Sequence, residues 1–188
     1  MEKKKPYFTT YRVVFIAVMA AIVYVLTLFR FPLLGSKVHF ANAMCLLSGL
    51  LFGPVCGGLA AGLGSALNDA LAGGYDFIQC LITFVSKFAM AAICALIAGT
   101  PHGERTNHVR VVLGSVIGAL SYVALYMLKT FIYQRFVYGN PGDAVLAAMA
   151  GKLPASMINA VFAMIVAPLL YAAVVPPLKR AHLLDKLA

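Results

Sequence analysis

An acid and an amine, Asp69 and Lys87, stand in sequence that would otherwise dissolve in hydrocarbon: SALNDALAGGYDFIQCLITFVSKFAM, residues 65–90. A charge at a bilayer centre is costly on insertion scales and usually faces a bundle interior or a cavity. Two kinds of chemistry suit such a pair. Asp69 and Lys87 can neutralise each other across the turn Gly73-Gly74-Tyr75-Asp76, the lysine stem reaching toward the membrane surface. Alternatively, Lys87 can hold a ligand in a pocket shielded from lipid. The sequence leaves both open.

Helical spacing enlarges this polar set. Gln79, Thr83, Ser86, Lys87 and Met90 follow i, i+4, i+7, i+8, i+11, and Tyr122, Tyr126, Lys129, Thr130 and Tyr133 repeat that pattern. Lys152, Ser156, Asn159 and Ala163 share a third face, and Ser65, Asn68 and Asp69 a fourth. Each has a plainer reading: tyrosines gather at membrane interfaces, and Asn159 beside Pro154 could satisfy freed backbone groups. Together the stripes predict an outward-opening pocket floored by Lys87 and Asn159 and walled by tyrosines. Aromatic faces with a few hydrogen-bonding groups are the usual makeup of a small-molecule site, and a flat, conjugated, polar compound such as a vitamin suits this one. The segments RFPLLGSKVHF and QRFVYGNPGDA fall on the same side as expected lids. The candidate ligand-binding residues are therefore His39, Asn42, Asp69, Tyr75, Gln79, Thr83, Lys87, Tyr122, Tyr126, Lys129, Tyr133 and Asn159.

The elements that must position these residues are membrane helices. The 188 residues are 62% hydrophobic and 11% charged, with a mean hydropathy of +0.91; soluble domains run at roughly 45–50% apolar and about 25% charged. Apolar runs cover 10–29, 41–72, 77–99, 110–134 and 152–176. As one helix, 41–72 would be about 48 Å long against a hydrocarbon core of about 30 Å. Phe52-Gly53-Pro54 interrupts it, and proline is poorly tolerated in a helix interior. Two helices, 40–52 and 54–72, fit better. The expected fold is thus an all-α integral membrane bundle of six transmembrane helices, a single domain over 1–188, with N- and C-termini cytoplasmic.

Charge distribution supports that count. With both termini inside, Lys3, Lys4, Lys5, Arg12, Arg105, Arg110, Lys179, Arg180 and Lys186 face the cytoplasm, as the positive-inside tendency asks. Five spans would strand the Lys179, Arg180 and Lys186 cluster outside. Arg30, Lys37, Lys129, Arg135 and Lys152 remain at the outer side, where topology does not require them. They suggest an acceptor-rich or anionic ligand. MEKKK followed by VVFIAVMAAIVYVLTLF resembles a signal peptide, but the apolar run is long for one and no small-residue cleavage site follows. It is read as a retained first helix.

Several function classes drop out. The net charge of +9 is spread through short connecting segments rather than gathered on a nucleic-acid face. Cys45, Cys56, Cys80 and Cys94 show neither CxxC nor Cys/His ligand spacing, so no metal site or disulfide framework is indicated. There is no P-loop and no HExxH. Ser65 has no histidine on a neighbouring apolar segment to activate it, and His102 and His108 with Glu104 and Arg105 read as a solvated connector. No catalytic residue, metal or cofactor is expected, and the protein is not read as an enzyme. A self-contained secondary transporter acting as a homodimer is the alternative, weakened by the lack of a detectable inverted repeat.

Small residues suggest close helix contacts: Gly53-xxx-Gly57, Gly58-xxx-Gly62 and Gly64, and Ala17-xxx-Ala21 in the first helix. The segments AVMAA, LLFGPVCGGLAAGLGSALNDALAGGY and ITFVSKFAMAAICALIAG resemble the substrate-binding S components of energy-coupling factor (ECF) vitamin transporters, riboflavin-type branch, and the resemblance covers nearly the whole chain. It implies a multi-pass protein of the bacterial plasma membrane that captures a vitamin or precursor from outside, without a cofactor. Its partners would be an ECF transmembrane coupling protein and two cytosolic ATPase subunits, in the manner of an ABC importer. The family's docking motif maps to Ala17 and Ala21, and its ligand lies toward the outer side. The chain lacks tryptophan, which argues against the thiamine-binding members. Riboflavin, pyridoxine-like and pyrimidine-precursor ligands stay open.

Overall fold

A computed structural model describes residues 7–33, 36–99 and 107–183. Lys3, Lys4, Lys5, His102, Glu104, Arg105 and Lys186, used above in reading orientation and connectors, lie outside the described residues. Three of the helices begin where the sequence supplies a side-chain oxygen for an orphan backbone N–H. Thr9 caps α1 (Thr10–Leu28), accepting from the backbone N–H of Arg12. Asp76 caps α3 (Phe77–Ala98), accepting from the N–H of Gln79 at 2.7 Å. Asn107 caps α4 (His108–Ile132), accepting from the N–H of Val109.

Between α1 and α3 lies α2 (Ala41–Asn68), broken at Gly53, whose φ of 78° and ψ of −177° are open to glycine and strained for other residues. Pro54 follows and cannot donate to the preceding turn. The chain folds back there. The Ser48 hydroxyl donates to the Gly57 carbonyl at 2.9 Å, and the Cys45 Sγ lies 3.8 Å from the Ser65 Oγ. Residues twenty apart in a straight helix would be separated by about 30 Å, so 41–52 and 54–68 are antiparallel limbs, as the Phe52-Gly53-Pro54 break predicts. The limb 41–52 is only about 18 Å long, shorter than a bilayer core. It is tolerated because its flanks are covered by protein rather than lipid: nearly every side chain from Ala41 to Leu51 is buried.

This hairpin is the centre of the bundle, contacting α1, α3, α4 and α5. Its glycines allow backbone-to-backbone approach. A Cβ on Gly64 would meet the Ala20 carbonyl of α1 at 2.4 Å, and one on Gly49 the Ala91 carbonyl of α3 at 2.3 Å. Gly58 and Gly62 receive the rings of Phe88 and Phe84. The glycine run is therefore internal packing. Ala17 and Ala21 differ: both are exposed, beside exposed Val14, Val18 and Ile22. Among the described residues five helices are long and apolar enough to cross a membrane, the broken α2 counted once with its extension to Gly73, and their outward faces are apolar, as in a multi-pass membrane protein.

Two features differ from expectation. The segment read as a first lid forms an antiparallel ribbon, β1 (Arg30–Leu33) with β2 (Ser36–His39), in the register Arg30↔His39. The last helix, α5 (Gly142–Arg180), starts ten residues before the expected 152. Pro154 lies inside α5, and Asp143 complements the positive end of the helix dipole in the first turn. The second expected lid is accordingly mostly helical, since a π-helical turn, Tyr133–Val137, extends α4.

Candidate functional site

At the end of the bundle that carries the β1–β2 ribbon, α3, α4 and α5 with the α2 hairpin enclose a cavity of about 580 Å³, within the range typical of small-molecule sites. Eleven of the twelve predicted ligand-binding residues line it: His39, Asp69, Tyr75, Gln79, Thr83, Lys87, Tyr122, Tyr126, Lys129, Tyr133 and Asn159. The twelfth, Asn42, lies behind the floor and is 1% exposed.

Lys87 and Asp69 do not pair. Lys87, only 3% exposed, donates from Nζ to the Oδ1 of Asn42, and its ammonium sits 3.6 Å from the centroid of the Tyr122 ring. Asp69 accepts from the Thr83 hydroxyl at 2.6 Å. Helical rise places both residues at roughly the right depth but says nothing about the azimuth of neighbouring helices, and Thr83 and Asn42 occupy the intervening positions. Among the described residues each charge thus has a neutral hydrogen-bonding partner. An ammonium carries three donors and a carboxylate about four acceptor positions, so both groups retain capacity toward the cavity.

Asn159 has a role that its neighbour Pro154 did not suggest. Its Oδ1 accepts from the backbone N–H of His39 at 2.9 Å, tying β2 to α5. Phe40 packs on Phe162 nearby, ring centroids 4.7 Å apart. The ribbon is thereby fixed along the cavity edge. Arg30 anchors its other strand by donating to the Ala72 carbonyl at 2.9 Å, and Ala72 lies in the π-helical turn Asp69–Gly73 that ends the hairpin.

The aromatic wall is stepped. Tyr122 and Tyr126 are stacked, with centroids 6.2 Å apart and an interplanar angle of 24°. Tyr133 meets Tyr138 edge-on. Lys129 lies 5.8 Å from the Tyr75 centroid and 5.9 Å from that of Tyr133. Such a site offers flat π-surfaces at the floor and ionic groups toward the mouth, with hydrogen-bonding hydroxyls between. Ser65, Ser86, Thr130, Lys152 and Ser156, already on the predicted stripes, also line the cavity. Thr27, Pro32, Gln134 and Tyr138 were not anticipated. The signal for Thr27 was its place as the last polar residue of a helix read only for its alanines; its hydroxyl bonds back to the Val23 carbonyl at 2.7 Å. Among the described residues no group of histidine, cysteine and carboxylate side chains is placed to hold a metal ion.

Three comparisons bear on identity. Residues 7–176 match the family model described as ECF-type riboflavin transporter, S component. A protein of Pyrococcus woesei, named only as an uncharacterized protein in gap 3'region, is 36% identical over 121 residues, covering 63% of this chain and 73% of the relative. The chain also superposes on a solved structure titled "Structure and mechanism of the S component of a bacterial ECF transporter" with a TM-score of 0.69 and 23% identity, covering 89% of this chain and 97% of that one. At that identity the likeness concerns the fold.

Proposed function

The chain belongs to the ECF-type riboflavin transporter S component family, a family of transporter subunits rather than enzymes, and from that premise we propose that it captures a riboflavin-class vitamin at the outer face of the cell membrane. The observation that carries this reading is the convergence of eleven separately predicted residues on one cavity. A flat heteroaromatic ring would lie against Tyr122 and Tyr126. Lys87, held in place by Asn42 and the Tyr122 face, would donate to its acceptor atoms, and Asp69 would accept from its donors. Because these groups are already fixed by protein partners, little side-chain entropy is lost on binding, which favours high affinity.

In this reading the two limbs of α2 each count as a crossing, giving six. An even count puts both termini on one side, and Arg12, Arg110, Lys179 and Arg180 lie at that end, which is cytoplasmic by the positive-inside tendency. The exposed Ala17 and Ala21 face of α1 offers a flat surface to the helices of a separate transmembrane coupling protein, itself driven by two cytosolic ATPases. No step of transport then falls to this chain alone.

Mass spectrometry of small molecules copurifying with the protein tests the proposal. A flavin at near-stoichiometric amount is the expected result. Solute movement down a gradient through proteoliposomes holding this chain alone would instead identify a self-contained secondary transporter.

A further inference from the structure

The cavity is lined by four cations, Arg30, Lys87, Lys129 and Lys152, against one carboxylate, Asp69. Lys87 belongs to the floor. The other three come from three different elements, β1, α4 and α5, and the orientation proposed above puts them at the outer side, where membrane topology does not call for bases. Depth separates them from the floor. Lys129 is seven residues along α4 from Tyr122, and Lys152 seven residues along α5 from Asn159, so each lies about 10 Å nearer the mouth than its floor counterpart.

None of the three forms an ion pair with a carboxylate among the described residues. Arg30 makes one hydrogen bond, to the Ala72 carbonyl, which leaves most of its five donors unused. Lys129 lies beside the faces of Tyr75 and Tyr133, within electrostatic range of Asp69, of the Lys152 ammonium and of Asp76. The two nearby acids make hydrogen bonds of their own, Asp69 with Thr83 and Asp76 with the first turn of α3, and among the described residues neither forms an ion pair with these cations. Three cations that share these two acids at a distance keep a net positive charge, and like charges repel. A group with three acceptor oxygens and up to two negative charges would satisfy all three cations at once.

We propose that the mouth of the cavity is a phosphate site, formed by Arg30, Lys129 and Lys152, which makes the protein prefer a phosphorylated vitamin to its neutral parent. This rests on the vitamin-capture reading above. The ring occupies the tyrosine-walled floor and the phosphate ester projects about 10 Å outward to the cations. The phosphate belongs to the soluble ligand and not to a lipid headgroup.

The test uses the full chain in nanodiscs of purely zwitterionic lipid, titrated separately with riboflavin and riboflavin 5′-phosphate. The phosphate ester should bind at least about tenfold more tightly, a modest figure for two or three half-buried charge pairs. That advantage should shrink as salt rises, and Lys129→Gln with Lys152→Gln should abolish it. Equal affinities for the two compounds, or a double variant that weakens both equally, overturn the phosphate site and leave vitamin capture standing. Binding of neither compound overturns both readings. If the double variant does not fold, the wild-type protein decides, because an advantage insensitive to salt contradicts an ionic site. A lipid-headgroup site would show no phosphate preference in these nanodiscs, with retention of added phosphatidylglycerol depending on Lys129 and Lys152; that result also overturns the proposal.

Discussion

The two ends of this bundle are built from the same helices and packed in opposite ways. Away from the cavity, glycine and alanine let α2 press its backbone against α1 and α3, and α4 closes on α3 through Gly114 and Gly118, where an added Cβ would lie 2.6 Å from the Cys94 carbonyl and 2.9 Å from that of Met90. The recess among Arg12, Phe15, Phe52 and Cys56 is only about 10 Å³, the space of one water at most. Toward the end that carries the β1–β2 ribbon, Tyr122, Tyr126 and Lys129 take over from Gly114 and Gly118 along α4, and the helices enclose about 580 Å³. Side-chain size, more than helix number, decides which end is closed. The closed end clamps the helices whose other ends frame the cavity.

This contrast can be broken from either side. The largest effect is expected from Gly57→Leu. An added Cβ would lie 2.4 Å from the Ser48 carbonyl, so the α2 hairpin cannot close and folded protein should be lost in size-exclusion chromatography. Comparable enlargement in the open end, Ser86→Leu, should leave the bundle folded and obstruct only the cavity.

Next in size is Lys87→Ala. It removes a donor from the floor and leaves the buried Asn42 carbonyl oxygen unpaired, a penalty of about 1–3 kcal/mol. Vitamin affinity should fall about 100-fold or more, beyond what that stability loss explains. Isothermal titration beside a melting curve separates the two effects.

Ala17→Leu with Ala21→Leu should leave vitamin affinity intact, because neither residue approaches the cavity, while lowering uptake by a reconstituted complex roughly tenfold or more, since bulk on a close-packed helix surface costs about 1–3 kcal/mol. Weaker affinity in this variant would count against a separate docking face. The smallest effect is expected from Thr83→Val, which removes the 2.6 Å hydrogen bond to Asp69. One such bond contributes about 1 kcal/mol, so affinity should drop roughly fivefold.

Much of the site was legible because helical periodicity is reliable where helices are long. Tyr122, Tyr126, Lys129 and Tyr133 were placed on one face by spacing alone, and all four line the cavity. The α2 break was legible for a different reason: Gly53-Pro54 breaks any helix that must continue through it. What spacing could not supply was rotation between helices. That is why Lys87 is found on Asn42, in a limb that reaches it only after the fold-back, and not on Asp69. The ribbon was missed because Arg30–Leu33 and Ser36–His39 are too short for an alternating pattern to emerge, and its stability comes from the bonds of His39 to Asn159 and of Arg30 to Ala72. The early start of α5 was hidden because Gly142, Asp143, Gly151 and Lys152 break the apolar run that marked the expected start at 152.

The most direct measurement is a titration of riboflavin fluorescence with the purified protein alone, without coupling protein or ATPases, for the wild type and Lys87→Ala. The account expects saturable one-to-one quenching with a Kd below about 1 μM, weakened about 100-fold in the variant. No saturable binding by the wild type, or equal binding by both proteins, would contradict it.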